Sequence, residues 1–225
     1  MSRIALVLCG GEGTRFRSIS SSPKILAPFR NGLFIDWLVW FLKENNFEKI
    51  ILSLGYKSDL IINYIDSELK SHKISYIIED SPLGTGGAVI NAIKSLNCDE
   101  LCVFNGDTFW SNNLTKEFLH KPIDLGLCLT KKFPLNERYG DFSLKNGKLI
   151  IKRGSSKIPI VDSKVFIGIA RVSKNLKNIN LKKPYSFEEL LVSQSNGLGL
   201  CNFDGDVFDF GVPEAYEIFG ELHGI

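Results

Sequence analysis

Leu8-Cys9-Gly10-Gly11-Glu12-Gly13-Thr14-Arg15, with Ser22-Pro23-Lys24 shortly after it, decides how this chain reads. A short apolar strand, Ile4 to Leu8, runs straight into a loop holding three glycines in four positions. Such glycines let the backbone bend sharply and come close to a ligand. The loop N–H groups can converge on an anion, and Arg15 and Lys24 supply charge for phosphate oxygens. Two other glycine loops fit less well. A dinucleotide fingerprint, G-x-G-x-x-G, would take Gly11 and Gly13 but finds Phe16 in its third place. A P-loop would end in Gly-Lys-Ser/Thr, and no such tripeptide follows.

Working outward, the first half alternates strand and helix. Apolar spacing predicts a helix over Phe34–Glu44, a strand over Lys49–Leu54 and a helix from Ser58, its cap, to about Ser67. A strand over Lys73–Ile78, a helix over Gly84–Leu96 and a strand over Leu101–Phe104 follow. This order predicts an α/β fold with a doubly wound, mostly parallel, Rossmann-like sheet and ligands at the carboxyl ends of its strands. The glycine loop, the Gly84 loop and Asp107 all follow such ends.

The second half reads as a small β-rich lobe on the same sheet, so residues 1–225 are expected to form a single domain. Its strands are expected at Asp124–Thr130, Gly140–Leu144, Val165–Val172, Leu198–Phe203 and Val207–Phe210. Asn146-Gly147 is a hairpin signal. Ser186 with Glu189 marks a capped helix to Ser193, and Pro213 opens a last helix to Leu222. Asp204-Gly205-Asp206 reads as a hairpin turn, and Ser18–Ser22 as a lid inside the phosphate loop.

Composition sets the class. The chain has 225 residues, 44% hydrophobic, with 27 basic and 25 acidic side chains and a net charge of +2. That balance marks neither a nucleic-acid partner nor a membrane surface, and no stretch approaches the length of a membrane span. The five cysteines show no C-x-x-C spacing and read as thiols in a reducing compartment. The apolar run after Met1-Ser2-Arg3 is too short for a signal peptide, so the expected location is the cytoplasm. Cys9 has no evident histidine partner and is not expected to act as a nucleophile.

The whole string Gly10-Gly11-Glu12-Gly13-Thr14-Arg15 with Pro23-Lys24 resembles the signature of the sugar-nucleotide pyrophosphorylases, nucleotidyltransferases that join a sugar 1-phosphate to a nucleotide. Further motifs resemble theirs in the same order: Ser81-Pro82-Leu83-Gly84-Thr85-Gly86-Gly87-Ala88, Asn105-Gly106-Asp107-Thr108, Arg138-Tyr139-Gly140, and Asp209-Phe210-Gly211-Val212-Pro213-Glu214. The resemblance implies a GT-A-like sheet and a set of roles. Arg15, Lys24 and Asp107 would serve catalysis. Leu8, Cys9, Gly10, Gly11, Gly13, Thr14, Glu79, Pro82, Gly84 and Thr85 would bind the nucleotide. Asn105, Tyr139, Gly140, Gly168 and Glu188 would bind the sugar phosphate, and Asp107 with Asp209 would hold Mg²⁺. Two carboxylates suit Mg²⁺, which takes few protein oxygens beside phosphates and water. The partners would be a nucleoside triphosphate and a sugar 1-phosphate, and the assembly it allows is a homodimer.

Base and sugar follow from finer details. Guanine shows two adjacent donors, N1–H and N2–H, and one carboxylate can accept both, so Glu79 favours GTP. Departures from the family pattern concern the sugar. Relatives' Glu-Lys-Pro is Ile151-Lys152-Arg153-Gly154 here, their Asn-Ala-Gly is Phe166-Ile167-Gly168, and their Pro-Lys-Pro is Pro23-Lys24-Ile25. Phe16-Arg17-Ser18, Ala27-Pro28 and Asn105-Gly106-Asp107-Thr108-Phe109 resemble the D-glycero-α-D-manno-heptose 1-phosphate guanylyltransferases. Their activity would make GDP-heptose for capsule, lipopolysaccharide or S-layer glycan. A mannose 1-phosphate guanylyltransferase, a uridylyltransferase and an inactive nucleotide-sugar-binding regulator stay open as alternatives.

Overall fold

The computed structural model describes residues 3–14, 22–122, 126–131, 142–145, 148–151, 163–179, 184–193, 198–211 and 213–223. In chain order these form β1 (Arg3–Leu8), β2 (Pro28–Phe29), β3 (Gly32–Leu33), α1 (Phe34–Glu44), β4 (Phe47–Leu54), α2 (Ser58–Glu68) and β5 (Ile74–Ile78). Then come α3 (Gly84–Leu96), β6 (Glu100–Asn105), β7 (Thr108–Trp110), α4 (Lys116–His120), β8 (Gly126–Lys131), β9 (Phe142–Lys145) and β10 (Lys148–Ile151). The chain continues through β11 (Ser163–Ser173), α5 (Phe187–Ser193), β12 (Leu198–Asn202), β13 (Val207–Asp209) and α6 (Pro213–His223). It divides into two compact units. The first takes Met1–Pro82, Phe104–Asn113 and Gly205–Ile225; the second takes Leu83–Val103 and Leu114–Asp204.

In the first unit, β1 pairs parallel with β4, and β4 parallel with β5. Ala5, Leu6 and Val7 are wholly buried, as expected of a parallel strand covered on both faces. Helix α1 buries Phe34, Ile35, Trp37, Leu38, Val39, Phe41 and Leu42. Its start is tied down by Asp36, whose carboxylate accepts from the Leu33 N–H at 2.8 Å. Asp36 also accepts from the Tyr64 hydroxyl at 2.9 Å, which fastens α2 to the same point. Ser58 is the first residue of α2 rather than its cap: Lys57 takes the cap position with a φ of 52°. The core is aromatic. The Phe29 ring lies within 6.1 Å of the rings of Phe34, Trp37, Phe109, Phe210 and Phe219, edge-on and offset contacts that add to simple burial.

In the second unit, β8 lies between β11, antiparallel to it, and β12, parallel to it. Strands β9 and β10 pair antiparallel, and β11 also pairs with β9. Gly168, with a φ of 78°, sits where the β11 register shifts between Phe166 and Ala170. Only a glycine takes that φ freely, so it permits the irregularity. Helix α5 opens on the expected capping box: the Ser186 N–H donates to Glu189 Oε2 at 2.8 Å, and the Glu189 N–H to Ser186 Oγ at 3.1 Å. Arg171, buried, forks onto Glu100 at 3.0 and 2.6 Å and donates to the carbonyls of Phe118 and Lys121, closing the end of α4.

The segment Asp204-Gly205-Asp206 is not a hairpin turn. Each flanking strand finds its partner elsewhere, β12 on β8 and β13 on β7. Asp206 is held by Ser111, whose N–H donates to the Asp206 carbonyl and whose Oγ accepts from the Asp206 N–H. The expected signals at Ser18–Ser21, Asp124, Gly140 and Asn146-Gly147 lie outside the described residues. Among the described residues no helix is long and apolar enough to cross a membrane.

Candidate active site

The first unit gathers its candidate site residues at the carboxyl ends of its strands. Past Leu8, the Cys9 N–H donates to the Ser53 carbonyl at 2.9 Å, and the Glu79 N–H donates to the Leu54 carbonyl at 2.9 Å. The ends of β1, β4 and β5 therefore stay in register into their loops. Glu79 then lays its carboxylate across the glycine loop: a Cβ on Gly10 would stand 3.4 Å from Glu79 Oε1. The Ser53 hydroxyl donates to that same oxygen at 2.9 Å. Gly55 completes the approach, because a Cβ there would meet the Gly10 carbonyl oxygen at 2.7 Å. Sequence reading singled out Glu79 and Gly10 but missed Ser53 and Gly55. Their signal was a serine and a glycine at the carboxyl end of an apolar strand, Ile50-Ile51-Leu52-Ser53-Leu54-Gly55.

The charged side of the site lies on the same loop. Gly106 brings the end of β6 against it, its N–H donating to the Leu8 carbonyl at 3.1 Å. A Cβ on Gly106 would stand 2.6 Å from that oxygen and 2.9 Å from Cys9 Sγ. Asp107 follows, and its Oδ2 is 2.9 Å from Lys24 Nζ. The stem of Lys24 runs over Gly13, where a Cβ would come within 3.2 Å of Lys24 Cε and where φ is +58°. Gly13 is favoured by its conformation, and the Lys24 stem would have to give way to a side chain there. Gly11 faces open space: nothing lies within 4 Å of a Cβ placed there. Thr14 and Pro82 are exposed, and Asn105 is half-buried at the end of β6. Burial, reinforced by the charge of Asp107, pushes the Cys9 thiol far above its ordinary value. At neutral pH Cys9 stays protonated, which argues against a thiolate nucleophile.

Asp209 reaches this cluster through the antiparallel β7–β13 pair, which sets it opposite Thr108. Its Oδ1 accepts from the Gly211 N–H at 2.7 Å. Asp107 and Asp209 converge on one point. A Cβ on Gly211 would lie 2.7 Å from Asp209 Oδ1 and 3.6 Å from Asp107 Oδ2. Two hard carboxylates that both approach one glycine fit Mg²⁺, which needs few protein oxygens. Among the described residues no group of three or more His, Cys, Asp or Glu is placed to hold a metal ion. Arg15, Tyr139 and Gly140 lie outside the described residues.

Four expected site residues belong to the second unit: Gly84, Thr85, Gly168 and Glu188. There, Gly84, with a φ of +73°, is packed against Tyr185: a Cβ would stand 2.4 Å from the Tyr185 carbonyl oxygen. Gly86 meets the Tyr185 ring and the Ser186 carbonyl in the same way, at 2.6 Å each. The Thr85 hydroxyl accepts from the Phe187 N–H at 2.8 Å, at the first turn of α5. Glu188 stands next in that turn, half-buried.

A glycine loop at strand ends, a lysine on it and a pair of carboxylates beside it define a protein that handles phosphate groups. The chain belongs to the Nucleotidyl transferase family, whose match spans residues 4–151. It is 35% identical over 221 residues to the D-glycero-alpha-D-manno-heptose 1-phosphate guanylyltransferase of Campylobacter jejuni, covering 96% of this chain and 97% of that one. It is 31% identical to the enzyme of the same name from Aneurinibacillus thermoaerophilus, covering 94% of each chain. The crystal structure of HddC from Yersinia pseudotuberculosis complexed with GMP-PN superposes with a TM-score of 0.79 at 28% identity, covering 98% of this chain and 99% of that one. The fold is the mostly parallel, Rossmann-like sheet with helices of this family.

Proposed function

We propose that this protein transfers GMP from GTP to D-glycero-α-D-manno-heptose 1-phosphate, giving GDP-heptose and pyrophosphate for a surface polysaccharide. The observation that carries this reading is the layout of one glycine loop, with Glu79 on one side of it and Lys24, Asp107 and Asp209 on the other. Similarity over nearly the whole length to two heptose guanylyltransferases, and to a structure complexed with GMP-PN, supports the choice of base and sugar.

An oxygen of the sugar phosphate attacks the α-phosphorus in line. The bond from that phosphorus to the bridging oxygen breaks, and pyrophosphate leaves with the electron pair. The protein's task is positioning and charge neutralisation. Leu8, Cys9, Gly10, Gly11, Gly13 and Thr14 cradle the nucleotide, and Glu79 and Pro82 face the base. Arg15 grips the leaving phosphates, and Lys24 neutralises the α-phosphate and the incoming phosphate. Asp107 and Asp209 hold Mg²⁺, which when bound adds positive charge against phosphate oxygens. Asn105, Tyr139 and Gly140 are assigned to the sugar phosphate. Gly84 and Thr85 are assigned to the nucleotide, and Gly168 and Glu188 to the sugar phosphate, on the family pattern alone. We further propose a single catalytic domain over 1–225, a cytoplasmic location, and a homodimer.

Pyrophosphate release measured across GTP, UTP, CTP and dTTP, each with heptose, mannose and glucose 1-phosphates, tests the reading. GTP with the heptose should lead and EDTA should abolish turnover. A preference for UTP or for mannose 1-phosphate would overturn the assignment, and full activity in EDTA would remove the metal.

A further inference from the structure

We infer that Ser53, a buried serine of the sheet, orients the Glu79 carboxylate for reading the base and so sets nucleotide selectivity without being exposed to the site. The inference rests on the proposed role of Glu79 as the guanine reader. Ser53 is 2% exposed and lies between Leu52 and Leu54, which are 1% and 0% exposed. Apolar packing alone would place an alanine or valine there. A buried hydroxyl needs an acceptor, and this one spends its proton on Glu79 Oε1 at 2.9 Å. The donor itself is anchored, since the Ser53 carbonyl holds the Cys9 N–H at the root of the glycine loop.

The Glu79 N–H is held by the Leu54 carbonyl, which fixes where its side chain begins. Its side chain has three rotatable bonds before the carboxylate, and guanine recognition fixes where both oxygens must stand. Guanine's N1–H and N2–H lie side by side and point the same way, so a carboxylate meets both only in one plane and one rotation. The Ser53 hydroxyl, bonded to Oε1, and Gly10, which leaves room for that same oxygen, both bear on that rotation. A hydrogen bond to an ionised acceptor is among the stronger neutral-donor contacts. Ser53 is therefore a positioning residue that acts through Glu79.

GTP and ITP, which lacks only the 2-amino group, provide the readout. kcat/KM for both would be measured, together with their affinities by calorimetry without sugar. Glu79→Gln should cut the GTP-over-ITP preference about tenfold or more. Ser53→Ala should cut it about three- to tenfold through the KM for GTP, with kcat at saturation held within about twofold. Ser53→Cys, a weaker donor of similar size, should fall between. In a Glu79→Ala background, Ser53→Ala should leave the ratio unchanged, because the two act as one unit. A purely structural serine would lower the melting temperature and weaken GTP and ITP equally. That pattern, or a full preference in Ser53→Ala while Glu79→Gln loses it, overturns this inference alone. An unchanged preference in Glu79→Gln overturns the guanine reading and this inference with it.

Discussion

The stretches Gly10-Gly11-Glu12-Gly13 and Gly84-Thr85-Gly86-Gly87 look alike on paper and are used in opposite ways. At Gly11 a Cβ would meet nothing within 4 Å, and at Gly10 and Gly13 it would meet the side chains of Glu79 and Lys24. At Gly84 and Gly86 the space is already taken by Tyr185 and Ser186. The first stretch leaves room for the side chains of Glu79 and Lys24 and, at Gly11, open space. The second is glycine so that another segment of the same unit can come close. Thr85 fits the second pattern, its hydroxyl engaged with the first turn of α5. Glycine count therefore does not separate a binding loop from a packing loop; what fills the missing side chain's place does.

The largest effect should come from the charged neighbour of the open loop. Asp107→Ala removes the counter-ion of Lys24 and a carboxylate of the paired site. Pyrophosphate release should fall about a thousandfold, the scale of losing a transition-state contact, while the melting temperature changes little. Gly84→Ala is the structural counterpart. A positive φ and a backbone atom at 2.4 Å leave no room for a methyl group, so unfolding in denaturant should show a loss of about 2–4 kcal/mol. Gly11→Ala should stay within about 0.5 kcal/mol of wild type and raise the KM for GTP instead. A destabilised Gly11→Ala with a normal KM would break the contrast.

Thr85→Val sharpens it further. If the hydroxyl chiefly caps α5, stability should drop by about 1 kcal/mol with the KM for GTP unchanged. A raised KM at unchanged stability would make Thr85 a nucleotide contact, as the family pattern assigns it. The smallest effect belongs to the contact between α1 and α2. Burial and the Asp36 hydrogen bonds raise the Tyr64 pKa from 10.0 to about 12. The folded state thus holds a proton that the unfolded chain releases sooner. This contribution is complete below pH 10 and is lost as pH rises toward 12. Stability followed across that window should decline less steeply in Tyr64→Phe.

What could be read in the sequence was local. Phe34–Glu44 and Gly84–Leu96 are helices at the expected residues, because apolar periodicity and end signals lie within each segment. The Ser186–Glu189 box was legible for the same reason. Lys24, Glu79, Asp107 and Asp209 could be named from motifs, but the meeting of Lys24, Asp107 and Asp209 could not be derived from spacing. The Lys24–Asp107 contact spans 83 residues and the Thr85–Phe187 contact 102. Ser53 was hidden because its partner lies 26 residues away, just past the end of the neighbouring strand. Short β7 was missed because three residues carry too little pattern. Ser58 was misplaced as a cap because Lys57 adopts a left-handed conformation that its residue type does not advertise.

The first unit is drawn from three separate stretches of chain, with the second unit's sequence running between them. Its ring cluster joins Phe29 to Phe219, and its carboxylate pair joins Asp107 to Asp209. During synthesis on the ribosome, Phe29 and Asp107 emerge long before their partners do. Strand β7 must wait for β13 and the core for α6, so closure depends on contacts between distant positions and should be slow. The pair of carboxylates is completed only by the final stretch. A nascent chain would bear the glycine loop well before its carboxylate pair was complete, and the exposed rings around Phe29 would be its point of greatest vulnerability to aggregation.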